Sequence, residues 1–399
     1  MTSPYDDPEG KTYALVSHES AVEAIWSLAA RGWKGVLWDE DIWLVPAAAS
    51  CVTTQGDFKQ LASEIDLLSF GIYKRPVDLL VPNKSCYSRG KSARFHVWRD
   101  FFPPKSFVRV HDRVFVSTPY FATVQLAVAK PASRLSKERA QQSAELSDRL
   151  CKEAGLNGSS PTAKDLLAWE NIERFVRATQ VLCDFMGTYR YVPVCEENET
   201  VEWDVVFKTK PIVSRTKLVD YLRQMPASKG IMRTRKVADA AFEGLASPME
   251  TMLALVLSLP TNMGGFGLPR PQVNYEIKVG EEDKSISSQN VMYADLCWPD
   301  QRLVVEYYGW DEHFGAGKHK VASDANRSNT LSALGWTVLH VTYEQIRTTE
   351  GISLLARQIA RCVGEALEVP TELEQIWRVR LVSMLLPPLL PKELPTVEI

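Results

Sequence analysis

The sequence predicts an α/β chain, α+β overall: an αβββαβ core towards the C-terminus, preceded by an N-terminal α+β domain and a helical middle segment. Three observations carry the prediction. Between Ser247 and Ile346 the apolar pattern runs helix, strand, strand, strand, helix, strand. Two of those strands, 292–298 and 303–308, are near-continuous apolar runs, as expected where both faces of a sheet are covered. From Thr12 to Lys130, short helical and strand-like patterns alternate.

Taken in order, residues 1–11 are polar and carry no element. Residues 17–30 read as a helix, with Ala21, Ala24, Ile25 and Leu28 on one face. Strand-like stretches follow at 35–38, 42–45, 77–81, 94–98, 107–110 and 114–117, then a helix over 119–129. Residues 131–155 suit a linker turning into a surface helix, and 166–185 an amphipathic helix. The stretch 189–207, with Glu196, Glu197 and Glu199, reads as irregular, before helical patterns near Leu218 and over 235–242. The core follows as a helix over 249–259, strands over 273–278, 292–298 and 303–308, a helix over 321–334 and a strand over 337–342. Gly335 supplies the left-handed residue that ends the second helix. The apolar tail 369–399, broken by Pro387, Pro388, Pro391 and Pro395, is expected to pack on the body or a partner. The expected domains are therefore 1–130, 131–246, 247–366 and a tail, 367–399.

Composition narrows the function classes. The 399 residues carry 46 Lys and Arg against 49 Asp and Glu, a net charge of −3. Neither a highly charged disordered chain nor a uniformly basic nucleic-acid coat fits that balance. No apolar run is long enough for a transmembrane helix, and the acidic start does not resemble a signal peptide. Seven scattered cysteines with no CxxC spacing support neither a zinc ribbon nor a disulfide framework, so a cytoplasmic, reducing setting is expected. The N-terminal region shows no catalytic constellation, and His96 and His111 read as packed or surface histidines. The runs Lys84, Arg89, Lys91, Arg94 and Lys229, Arg233, Arg235, Lys236 suit either solvated surface or phosphate contact.

The chemistry concentrates in the C-terminal core. Asp295 and Glu306 lie within apolar strands, where an isolated carboxylate would neutralise or demand a partner. With Asp300-Gln301 at the centre of a hairpin, Asp295 stands opposite Glu306 on one face, and like charges so placed repel. Either a divalent cation with oxygen ligands, Mg²⁺ or Mn²⁺, relieves the repulsion, or a nearby Arg or Lys bridges the pair. Glu250, in Ser247-Pro248-Met249-Glu250, matches a capping box and equally a role beside the metal. His313 follows Glu306 in a loop able to reach back as a general base or ligand, or to remain on the surface. Lys318, Lys320 and Arg327 suit phosphate contact, or a solvated helix face.

The order Ser-Pro-Met-Glu, Tyr-Ala-Asp, Val-Val-Glu-Tyr, Gly and His, then Asp324-Ala-Asn-Arg327, Leu331 and Gly335-Trp-Thr-Val-Leu-His-Val resembles the PD-(D/E)XK nuclease superfamily. Within it, the branch related to the very-short-patch-repair endonuclease is most similar. The match covers residues 247–346, a quarter of the chain. The resemblance implies a restriction-endonuclease-like sheet flanked by helices and Mg²⁺-dependent phosphodiester hydrolysis. It implies Asp295 and Glu306 as metal-binding acids, with Glu250 and His313 catalytic beside them and Asp324 and Arg327 as the charged pair on the following helix. Tyr308 departs from the pattern by replacing the superfamily's lysine, which Lys318 or Lys320 replaces only if the loop folds inward. Ser17-His-Glu-Ser-Ala21, Val77-Asp-Leu-Leu-Val81 and Val116-Ser-Thr-Pro119 weakly resemble AbiEi-type antitoxin and abortive-infection regulators, which are associated with nucleic-acid binding.

The expected function is a metal-dependent DNA endonuclease. The alternative is a nuclease fold kept as a DNA-binding or regulatory protein without turnover, of antitoxin or phage-defence type. DNA is the expected partner, with a protein partner or a second copy through the N-terminal region or the tail. Residues 247–345 hold twelve acids and seven Lys or Arg, so any basic groove is expected largely from residues 130–240.

Overall fold

A computed structural model of the chain describes residues 12–32, 51–73, 75–81, 90–98, 102–128, 137–156, 160–197, 200–225, 229–287, 289–308 and 318–387. The chain forms two compact units, residues 1–130 with 174–241 and residues 131–173 with 242–399. One division between the units falls between residues 130 and 131. The stretch 131–246 is not a body of its own, because it is divided between the two units. As the sequence pattern requires, the fold is mixed α/β.

The first unit opens with β1 (Ala14–Val16), α1 (His18–Ala30), α2 (Gln55–Glu64), β2 (Val77–Val81) and β3 (Ala93–Val97). It continues with β4 (Phe107–His111), β5 (Val114–Ser117) and α3 (Pro119–Val128). The five strands form one sheet in the order β3-β2-β1-β5-β4, with β1 parallel to β5 and β2 parallel to β3. Residues 77–81 are buried throughout, as a central strand requires. The strands expected at 35–38 and 42–45 lie outside the described residues. Helix α2, which sequence periodicity misses, starts at a reciprocal capping box between Thr54 and Asp57.

Two helices follow, α4 (Lys137–Glu153) and α5 (Ala163–Met186), and α5 passes from the second unit to the first after Glu173. The stretch 189–207 is not irregular. It is an antiparallel hairpin, β6 (Tyr189–Glu197) and β7 (Thr200–Phe207). Its register shifts between Pro193 and Cys195, a bulge that admits a proline inside a strand and breaks the alternation that would reveal it. Helices α6 (Arg215–Arg223) and α7 (Lys229–Ala240) complete the first unit.

The core of the second unit keeps the predicted order. It comprises α8 (Pro248–Ser258), β8 (Gln272–Lys278), β9 (Val291–Trp298), β10 (Leu303–Tyr308), α9 (Lys318–Ala333) and β11 (Thr337–Thr342). The sheet order is β11-β10-β9-β8, with β10 and β11 parallel and the other pairs antiparallel. Ile277, Met292, Ala294, Cys297 and Val304 bury together with Leu331 of α9. Gly335 has φ +80, as its place after the helix demands.

A short helix, α10 (Tyr343–Ile346), leads into α11 (Thr349–Val363) and α12 (Glu372–Leu385). Over its described residues, 367–387, the expected tail is therefore mostly a capped helix. It packs on α4, α8 and α11, with the Trp377 ring tilted against Trp169 at 5.0 Å between ring centroids. Two buried arginines of α12 are satisfied by neighbours. Arg378 donates to the Gly264 and Gly265 carbonyls, and Arg380 to Ser143 and Ser147. No helix among the described residues is long and apolar enough to cross a membrane.

Candidate active site

The hairpin between β9 and β10 decides which acids meet. Its pairs are Leu303 with Trp298, Val304 with Cys297 and Val305 with Leu296, the register expected from a centre at Asp300-Gln301. The loop is longer than a two-residue turn. A 3₁₀ turn over Pro299–Gln301 is closed by Arg302 in the left-handed region, φ +49. The next pair in sequence would be Asp295 with Glu306, and there the ladder opens. Instead the Asp295 Oδ2 accepts the Tyr307 N–H at 2.7 Å. On the other side the β8–β9 register passes from Val273–Leu296 to Tyr275–Ala294, and Asn274 between them has φ +47. The Asp295 carboxylate therefore sits where both ladders give way and can serve chemistry other than strand pairing.

Glu250 enters from α8. The Ser247 Oγ accepts the Glu250 N–H and donates to Glu250 Oε1 at 2.8 Å, while Glu250 Oε2 accepts the Ala246 N–H at 2.9 Å. Ser247 thus caps the helix, but the Glu250 side chain closes on the Ala246 N–H and the Ser247 hydroxyl and not on the Ser247 N–H, so the reciprocal box is incomplete. Glu250 is also buried, and its charge is felt at Asp295. Glu306, buried at 8 % exposure, is paired with Arg327 of α9 at 2.8 Å. Arg327 also donates to the Tyr293 carbonyl. Arg327, one of the expected phosphate contacts, is therefore engaged as the arginine partner that the sequence left open.

The consequence is electrostatic. Burial first, then the charges of Glu250 and Glu306, push the Asp295 carboxyl well above its ordinary range; the Tyr307 amide and Arg327 oppose them. Burial and Glu306 likewise push the Cys297 thiol up to about 12. Three carboxylates from a helix and two strands thus share one electrostatic site. His313 lies outside the described residues. Lys318 and Lys320 stand in the first turn of α9, with only their backbone described, as for Asp324.

One residue at the site escaped sequence reasoning. His340 of β11 is in register with Glu306, and its ring stacks on Tyr308 with centroids 4.9 Å apart. Its Nε2 lies 2.9 Å from Ser328 Oγ. Alternation along β11, combined with the parallel pairing to β10, would have placed it there. In the first unit, His96 is more than a packed histidine: Asp78, 1 % exposed, holds its Nε2 at 2.8 Å and Arg94 at 3.4 Å. The His18 ring stacks on His96 at 3.7 Å.

Oxygen donors from Asp295 and Glu306 suit a hard divalent cation, and Mg²⁺ takes one or two protein carboxylates together with water and substrate oxygens. Among the described residues no group of three or more His, Cys, Asp or Glu side chains is arranged to hold a metal ion.

No protein-family model matches the chain, and no solved structure matches it significantly. Two uncharacterized proteins of Mycobacterium tuberculosis, from strains CDC 1551 / Oshkosh and ATCC 25618 / H37Rv, are each 28 % identical to it over 153 residues. Those residues are 38 % of this chain, and the chain spans about half the length of each relative.

Proposed function

We propose that the chain is a metal-dependent DNA endonuclease that hydrolyses phosphodiester bonds through Asp295 and Glu306, related to the PD-(D/E)XK nucleases and working in the cytoplasm. The observation that carries the reading is the opening of the hairpin ladder at Asp295, beside Glu306 and within reach of the Glu250 charge. Mutually repelling carboxylates at a strand opening are costly to stability unless something positive is to be held there.

In this reading Asp295 and Glu306 would hold Mg²⁺ or Mn²⁺, which supplies Lewis-acid stabilisation of the phosphate and a more acidic water. The Tyr307 amide fixes the Asp295 carboxylate. Arg327 holds Glu306 in place and offsets part of the negative charge. Glu250 keeps the site acidic from α8 while capping that helix. His313 would take or deliver the proton, and Lys318 and Lys320 would contact phosphates.

A second reading has one specific observation behind it. Tyr308 occupies the place of the superfamily's lysine and is stacked on His340, which suits a nuclease fold retained for binding DNA in a regulatory or phage-defence role. Incubating supercoiled, linear and single-stranded DNA with Mg²⁺ or Mn²⁺ separates the two. Cation-dependent cleavage is expected; salt-sensitive binding without cleavage by any substrate and ion supports the second reading instead.

A further inference from the structure

The first unit carries a groove of about 470 Å³, lined by Phe58, Lys59, Ala62 and Ser63 of α2 and by Arg75, Lys91 and Ser92. Three of these residues are cationic, two carry hydroxyls, and none is acidic. The sequence placed any basic groove in residues 130–240; this one lies within residues 58–92.

Its walls are fixed rather than loose. Gln55, in the first turn of α2, clamps the start of β3 as another strand would: its amide donates to the Ala93 carbonyl at 2.7 Å and its Oε1 accepts the Ala93 N–H at 3.2 Å. Gly90 lies so close that a Cβ there would stand 2.4 Å from the Gln55 side chain. Lys59, four residues after Gln55, shares that helix face, so the clamp that sets α2 against residues 90–93 also sets Lys59 against Lys91. The α2 acids are engaged elsewhere. Asp57 caps the helix at Thr54, and Glu64 pairs with Arg113. Lys59 and Lys91 make no ion pair among the described residues.

We infer that this groove binds the phosphates of a nucleic-acid strand. Lys59 and Lys91 face one groove with no acid among its described lining residues, which favours an anion between them. Ammonium groups act as point charges for phosphate, and the Ser92 hydroxyl adds a donor without adding charge. The inference does not depend on the carboxylate site, and the two fail separately.

The test is fluorescence anisotropy on the full chain with a labelled 20-nucleotide single strand, the matching duplex, and a labelled mononucleotide, each across a salt series. Variants are Lys59→Gln/Lys91→Gln and the charge reversal Lys59→Glu/Lys91→Glu. Unchanged circular dichroism melts establish that the exposed substitutions leave the fold intact. The expected result is a loss of at least about tenfold in strand affinity for the Gln pair, more for the Glu pair, and a salt slope lowered by about two. Equal strand binding by wild type and both pairs overturns the inference, as does the absence of strand binding. Mononucleotide binding as tight as the strand's, and lost in the variants, assigns the groove to a small phosphate ligand and overturns the strand as its occupant.

Discussion

A carboxylate stripped of water takes its charge state from whatever stands beside it, and two residues of this chain show the two outcomes. Asp184, 3 % exposed, is raised by burial to about 7, although the Tyr189 hydroxyl and Arg177 pull the other way. Its folded value thus exceeds the unfolded one near 3.8. Between about pH 4 and 7 the folded chain binds the extra proton, so stability falls as pH rises through that window, by about 1.4 kcal/mol per unit of separation. Urea midpoints measured from pH 4 to 8 are expected to show this decline in wild type and a shallower one in Asp184→Asn, since Asp295, also raised, adds a decline of the same sign. Glu306 instead keeps a cationic partner. Replacing Arg327 with Gln leaves Glu306 and Asp295 repelling without an offset, and is expected to cost roughly 1–3 kcal/mol. Glu306→Gln in the same chain recovers part of that loss, and a double-mutant cycle by urea denaturation measures it.

At the scale of elements, most of the core was legible because its signals are local. The Ser247-Pro248 start of α8, the apolar runs of β9 and β10, and Gly335 after α9 each state a boundary in their own residues. The hairpin register as far as Val305 and Leu296 followed from the hairpin centre alone, although the loop proved longer and the ladder opens before Asp295 and Glu306 pair. What stayed illegible depends on partners distant in sequence. The β6–β7 hairpin hides behind Pro193 and its bulge, and His340 joins the site only through pairing with a strand 34 positions earlier, Glu306. The engagement of Arg327 likewise requires α9 to be laid against the sheet. Helix α12 was misread as a tail because its buried Arg378 and Arg380 interrupt the apolar pattern, and their partners, Gly264, Gly265 and Ser143, lie far back in the chain. Two outcomes follow. A Cβ at Gly264, where φ is +91, would stand 2.5 Å from the Trp377 carbonyl oxygen, so Gly264→Ala is expected to cost about 1–3 kcal/mol in thermal or urea melts. Deleting residues 367–399 removes the buried Trp377, Leu381 and Leu385, each worth about 1.5–3 kcal/mol or more. That sum approaches the whole stability of an ordinary domain, and the truncated chain is expected to lose its cooperative unfolding transition.

At the scale of the whole molecule, a near-neutral chain divides its charges between places. Acids gather at the opening of the β9–β10 ladder in one unit, and cations line the groove beside α2 in the other. The net charge of −3 hides this division, and for that reason argues neither for nor against a nucleic-acid role. The central claim rests on the acids. It is tested most directly by the rate at which supercoiled plasmid is nicked as Mn²⁺ is titrated, comparing wild type with Asp295→Asn. The account predicts a rate that saturates with the ion in wild type and falls at least about a hundredfold in the variant, the scale on which lost transition-state charge stabilisation shows. A nicking rate that is indifferent to the ion, or equal in the two proteins, would contradict it.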